Sequence, residues 1–208
     1  MQASPSEHVC SGECAALRRF LVSLTHDLVG LLRQRNVVDA ERLLHGFILC
    51  LMTGAPARVT PSVIDNRAIF LALEAVAISV RGARVVPRHQ SDITVNSDMR
   101  FLELAFWAMI AEASSNRYAG TEIELRCDRV ANEVWVTVEY SGCSAAEAAL
   151  LPVPHLNVIL TNSSHRSDVA IKLQIASIAA AANHGRIELT ELQGMQAIRL
   201  LLPAMYKE

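Results

Sequence analysis

Aromatic residues are scarce in this chain. Phe, Tyr and Trp together make 5% of 208 residues, against a hydrophobic fraction of 51%. The core must therefore be packed with aliphatic side chains, and that much apolar material excludes extensive disorder. Basic runs are missing too. The net charge is −2 and no Lys/Arg block stands out, which speaks against nucleic acid as a partner. Cysteine is present but unpatterned. Cys10, Cys14, Cys50, Cys127 and Cys143 are odd in number and lack the spacing of a disulfide framework. Cys10 and Cys14 can share a helix face and ligate a metal, but the simpler reading is small apolar thiols in a reducing compartment. No basic segment followed by an apolar run opens the sequence, and no stretch reaches about 18 uninterrupted apolar residues. The expectation is a soluble, cytoplasmic protein with no membrane contact. There is also no zinc-type cluster, no Gly-x-Ser-x-Gly elbow and no phosphate-binding Gly-rich loop.

What is present first is helical. Leu17, Leu21, Leu24, Leu28 and Leu31 recur at four-three-four-three spacing, a heptad seam. They predict a helix over residues 13–35. Asn36 to Asp39 reads as a turn, with Asp39 able to cap a second helix over residues 40–53. The apolar face of that helix carries Leu44, Phe47, Ile48 and Leu51, and Gly54-Ala55-Pro56 ends it. Two helices with one apolar stripe each leave surface uncovered. A four-helix bundle formed by dimerisation covers it.

Beyond residue 58 the texture changes. Helices are expected over residues 65–80, 98–116 and 168–182, the second carrying Leu102, Phe106 and Met109 at helical spacing. Short strands are expected at 85–86 and 93–95. Period-two alternation predicts strands over 121–127 and 134–139, with further strands over 186–192 and 196–202. Asp128 to Asn132 reads as a hairpin loop, Ser141 to Ser164 as irregular, and Gly185 as the end of the last helix. The expected architecture is α+β. An N-terminal helical hairpin (1–58) forms a dimeric four-helix bundle, and an α/β sandwich (59–208) follows it.

The reactive candidate lies on the first helix. At about 100° per residue, the five leucines share one stripe and His26 falls almost opposite, offered to water. Asp27 follows it directly. An imidazole with an ordinary pKa of about 6.5 is mostly neutral at pH 7, and a neutral imidazole is a nucleophile. Val29, Gly30 and Arg33 lie about one to two turns further on, on or beside the same face. They form a candidate docking surface, with Gly30 permitting close approach and Arg33 able to meet acids or phosphate.

The second part of the chain resembles the ATP-binding domain of sensor histidine kinases, the GHKL fold. The resemblance is carried by Asp98-Met99-Arg100-Phe101-Leu102 and the run through Ala113, by Gly120-Thr121-Glu122-Ile123, and by Val134-Trp135-Val136-Thr137-Val138. Gly142, His184-Gly185-Arg186-Ile187-Glu188-Leu189 and Leu202-Pro203 complete it, in the family's order. The nucleotide motifs depart from the family's pattern. Where the family has an asparagine for Mg²⁺, this chain has Glu112. Where it has an aspartate for adenine, this chain has Tyr140. Where it has a Gly-x-Gly phosphate turn, this chain has Ala170-Ile171-Lys172-Leu173. Without glycine the backbone cannot approach phosphates closely. The resemblance thus implies a degenerate, pseudo-ATPase domain.

In the kinases a dimeric helical hairpin bearing the phosphorylated histidine precedes this domain. Ser23-Leu24-Thr25-His26-Asp27-Leu28 resembles that site, although no proline follows the histidine as it does in most kinases. Taken together, the chain is similar to the ChpT-type histidine phosphotransferases of bacterial phosphorelays. That resemblance implies a cytoplasmic homodimer that moves a phosphoryl group between response-regulator receiver aspartates through His26. Asp27 would orient the imidazole or accept its proton. The chain would need no cofactor of its own, Mg²⁺ being expected on the partner receiver domain. Two other functions fit the same features. One is a non-catalytic protein that binds or inhibits a two-component partner. The other is an ATP-dependent kinase with unusual motifs.

Overall fold

The computed structural model describes residues 24–25, 27–33, 37–51, 59–79, 83–85, 93–143, 171–192 and 195–205. Residues 24–25 and 27–33 are helical, the latter run forming α1. Helix α2 follows at Val37–Leu51. Strand β1 (Ser62–Asp65), helix α3 (Asn66–Ser79), β2 (Ala83–Val85) and β3 (Thr94–Ser97) lead into the long helix α4 (Met99–Asn116). Then come β4 (Ile123–Val130), β5 (Glu133–Tyr140), α5 (Ile171–Ala182), β6 (Arg186–Leu192) and β7 (Met195–Pro203).

Alternating apolar residues build the main sheet. Its strand order is β2-β4-β5-β7-β6, with β2 parallel to β4 and the other pairs antiparallel. Leu125 pairs with Val138 and Cys127 with Val136. Those two valines pair onward with Ile198 and Leu200. All six side chains are buried, so one face of the sheet is a continuous aliphatic surface. Helices α3, α4 and α5 cover that face, and α2 packs against α5 from outside. Helix α4 is consequently buried nearly all round, from Phe101 to Ala113. A helix apolar on every side belongs inside a layered core. Among the described residues no helix is long and apolar enough to cross a membrane.

Several local expectations change. The two-residue turn Ala131-Asn132 replaces the longer hairpin loop, because Asp128 and Arg129 pair with Trp135 and Val134. Ala131 adopts the left-handed φ of 53° that this tight turn needs. Asp65 ends a strand before it serves the helix. It closes β1, which pairs with β3, and its Oδ1 accepts the Ala68 N–H at 2.8 Å at the start of α3. Helix α5 ends through His184, at φ 57°, rather than through Gly185 itself. A Cβ on Gly185 would run into the Leu201 carbonyl, so the glycine is there for close packing on β7.

Helix α2 also starts earlier than expected, at Val37, and turns a different face inward. Leu43 is wholly buried, whereas Leu44 and Ile48 remain 46% and 45% exposed. The reason is Gly46. A Cβ there would lie 2.7–2.9 Å from the Ile175 side chain of α5, so only a glycine lets the two helices approach along this line. Asp39 is buried within the first turn of α2 rather than capping it, and accepts the Trp107 Nε1–H of α4 at 2.7 Å. The described leucines of the heptad seam also pack inward. Leu24 belongs to the same buried cluster as α4, and Leu28 and Leu31 lie against it. Leu17, Leu21 and the expected helix before residue 24 lie outside the described residues.

Candidate functional site

Three elements far apart in sequence converge at the C-terminal half of α4. Glu112 and Ser115 project from α4, Lys172 from α5, and Asp27 from α1. The Lys172 ammonium lies 3.7 Å from Asp27 Oδ2 and donates to Ser115 Oγ at 3.1 Å. Glu112 is buried, with 8% of its surface exposed. Asn116 Nδ2–H, one turn on, donates to its Oε1 at 2.8 Å and to its backbone carbonyl at 3.0 Å. Burial is the main force on the Glu112 acid and raises its pKa above the ordinary carboxylate value. Lys172 and the Asn116 bond pull the other way, and the Asp27 charge pushes it further up. The cluster thus holds two carboxyl groups around one ammonium at the edge of the core.

The other end of α4 is built differently. Asp98 caps the helix and is almost entirely buried. Its carboxylate accepts the Thr60 N–H and hydroxyl at 2.9 and 3.0 Å, and the Arg100 backbone N–H, Nε–H and Nη2–H at 3.1, 3.0 and 2.6 Å. Its own N–H donates to Asn183 Oδ1 at 2.7 Å. The Arg100 guanidinium, above all, holds the Asp98 carboxyl far below the usual carboxylate range. This is a structural clasp joining residue 60, α4 and the end of α5, not a reactive group.

His26 lies outside the described residues. Asp27 joins the Lys172–Glu112 cluster. Val29 and Arg33 are exposed, and Gly30 is half-buried, with none of the described residues within 4 Å of where a Cβ would stand. Glu112 and Lys172 were noticed in the sequence only as departures from motifs. Their meeting with Asp27 depends on α1 packing across α4 and α5, for which no local signal exists. Tyr140 is completely buried at the end of β5, and its hydroxyl donates to the Cys143 carbonyl at 3.3 Å. Burial pushes the Cys127 thiol up to about 12, leaving it an inert core residue. Cys143 is exposed, while Cys10 and Cys14 lie outside the described residues. Among the described residues no three His, Cys, Asp or Glu side chains gather to hold a metal ion.

No protein-family model matches the chain, and no curated protein matches it in sequence. Its likeness is to solved structures. The Acinetobacter baumannii histidine kinase AdeS superposes with a TM-score of 0.53 at 14% identity, over 90% of this chain and 96% of that one. Full-length ShkA in complex with AMPPNP gives 0.55 at 14% identity, over 88% of this chain but 39% of that one. The nucleotide-free catalytic domain of the histidine kinase ThkA gives 0.52 at 14% identity, over 69% of this chain and 97% of that one. At such identities the likeness is one of fold. The five-stranded mixed sheet with α3, α4 and α5 on one face therefore has the fold of a histidine-kinase catalytic domain.

Proposed function

We propose that this chain is a histidine phosphotransferase, relaying a phosphoryl group between receiver-domain aspartates through His26 and working without ATP. The observation that carries the reading is the position of Asp27. The acid that follows His26 in sequence is held by Lys172 against the side of a kinase-like fold. In the transfer, an imidazole nitrogen of His26 forms a bond to phosphorus as the P–O bond of the donor acyl phosphate breaks. The electron pair leaves on the donor carboxylate, and the ring keeps its one N–H proton. Such transfer passes through a loose transition state and depends on positioning. Mg²⁺ on the receiver domain would neutralise charge on the phosphoryl oxygens.

Nucleotide chemistry fits these residues poorly. Tyr140, at the position of the adenine-reading aspartate, is packed inside with its hydroxyl engaged. Glu112, at the Mg²⁺ position, is buried under Asn116, and Lys172 is already shared with Asp27 and Ser115. A nucleotide at 100 times its dissociation constant should stabilise a true kinase by about 2.7 kcal/mol. For this chain we expect no shift in melting temperature.

Val29, Gly30 and Arg33 form the receiver-docking face in this scheme. A glycine inside a helix costs about 1 kcal/mol relative to alanine, and among the described residues no side chain packs where a Gly30 Cβ would stand. Close approach of a partner supplies a reason for the glycine. The scheme also has the chain working as a homodimer. Leu32, Leu44 and Ile48 stay exposed on α1 and α2 and would join the two copies in a four-helix bundle.

The test is to mix the purified chain with a panel of phosphorylated receiver domains and look for acid-labile, base-stable label. Label on the wild type but not on His26→Ala supports the relay. Gly30→Ala should melt higher yet accept label more slowly. Binding of receivers without any label would instead favour a non-catalytic binding or inhibitory role.

A further inference from the structure

Lys172 is held by groups outside its own helix. Its side chain is only 18% exposed, so the ammonium is held in place rather than trailing in solvent. The groups that hold it come from two other helices: Asp27 of α1, and Ser115 with the nearby Glu112 of α4. Glu112 is engaged by Asn116. Asp27 is thus the carboxylate that the lysine directly contacts, and it is the one next in sequence to the proposed nucleophile.

Resting on the relay reading, we infer that Lys172 is a positioning residue for phosphoryl transfer at His26, acting through Asp27. With its charge paired, the Asp27 carboxylate is held against α5, and the stretch of backbone that carries it also carries His26. The paired carboxylate is not a free base that removes the imidazole proton. Lys172 also ties α1 to α5, so the helix that follows His26 in sequence is anchored to the kinase-like body. Ser115 Oγ, accepting from the ammonium at 3.1 Å, gives it a second anchor on α4. The second domain, no longer suited to nucleotide, takes on the task of presenting the acid.

The test needs no protein partner. Potassium phosphoramidate phosphorylates histidine directly, the new N–P bond replacing the P–N bond to ammonia, which leaves. The full-length wild type, Lys172→Met, Lys172→Arg, Asp27→Asn and the Lys172→Met/Asp27→Asn double variant are compared by base-stable label lost in His26→Ala. Labelling rates are taken across pH, with circular dichroism to establish that each variant is folded. Lys172→Met should slow labelling about tenfold and move its pH profile. Lys172→Arg should restore most of the rate and the profile. In the Asp27→Asn background, Lys172→Met should add no further loss, since the two act as one unit. A labelled wild type with an unchanged Lys172→Met variant overturns this inference alone. The same holds if Lys172→Met costs as much with Asp27→Asn as without it. A wild type that takes no label at His26 overturns the phosphohistidine reading, and this inference with it.

Discussion

Helix α4 carries a buried acid at each end, and the two are held in opposite ways. Asp98 accepts five hydrogen bonds from Thr60 and Arg100, and its carboxyl is held far below the ordinary range. Glu112 has Asn116 as a direct donor and Lys172 acting at longer range, and burial raises its acid. Both are nearly inaccessible to water. What separates them is the number of donors aimed at the charge. Where donors saturate a carboxylate, it becomes part of the frame. Where they do not, the group keeps electrostatic tension that a neighbouring site can use.

Breaking the saturated end should cost most. Asp98→Ala removes a helix cap and leaves the Thr60 and Arg100 donors without their acceptor. The expected loss is about 3 kcal/mol, or roughly 10 °C in melting temperature for a chain of this size. Asp98→Asn separates charge from geometry. Because the carboxyl is depressed in the fold, its stabilisation is fully present above its ordinary value of 3.8. It is lost as pH falls through the much lower folded value. The gap between wild type and Asp98→Asn in denaturant melts should therefore hold steady across neutral pH and narrow only in strong acid. A gap that varies between pH 6 and pH 8 would sink this account.

Asp39 is the intermediate case, a buried acid with a Trp107 N–H at 2.7 Å and the Arg42 guanidinium at 3.6 Å. Asp39→Ala strands a buried indole N–H and should cost about 2 kcal/mol. Asp39→Asn keeps an acceptor oxygen and should recover most of that. Urea melts followed by tryptophan emission would read both. If the two variants are equally damaging, the charge rather than the donor count governs this position.

How much of this was legible in sequence depended on range. The strands β4 and β5 follow from alternation alone, and α4 from Leu102, Phe106 and Met109, all of which are wholly buried. These signals are local, and each residue's burial is decided within its own element. Strand β1 has four residues and buries only Ile64. It exists because β3 lies beside it, and nothing within it announces that. The inward face of α2 does not follow from its apolar stripe, because its contact point is a glycine, Gly46, against which Ile175 packs. Candidate site residues followed the same rule. Asp27 was marked by standing next to His26. Glu112 and Lys172 looked like losses, and their function as a charge cluster with Asp27 exists only once α1 lies across α4 and α5.

The smallest expected effect tests the unsaturated end, and its sign is opposite to that of the others. Glu112 has a folded pKa raised above its ordinary value of 4.5. Between those two values the native state binds more protons than the unfolded chain, so stability falls as pH rises through the window. Above the window the full penalty of a buried, under-donated carboxylate remains. Glu112→Gln keeps an oxygen for the Asn116 N–H and removes the titration. The variant should be more stable than wild type at about pH 8, by on the order of 1 kcal/mol, the scale of one buried group's desolvation. At about pH 4 the gain should vanish, because wild-type Glu112 is then protonated and neutral as well. Denaturant melts at both pH values measure the difference. A variant less stable than wild type at pH 8 would mean that Lys172 already compensates the buried charge, as Arg100 does for Asp98. The two ends of α4 would then be equivalent clasps, and the ammonium of Lys172 would belong to Glu112 rather than to Asp27.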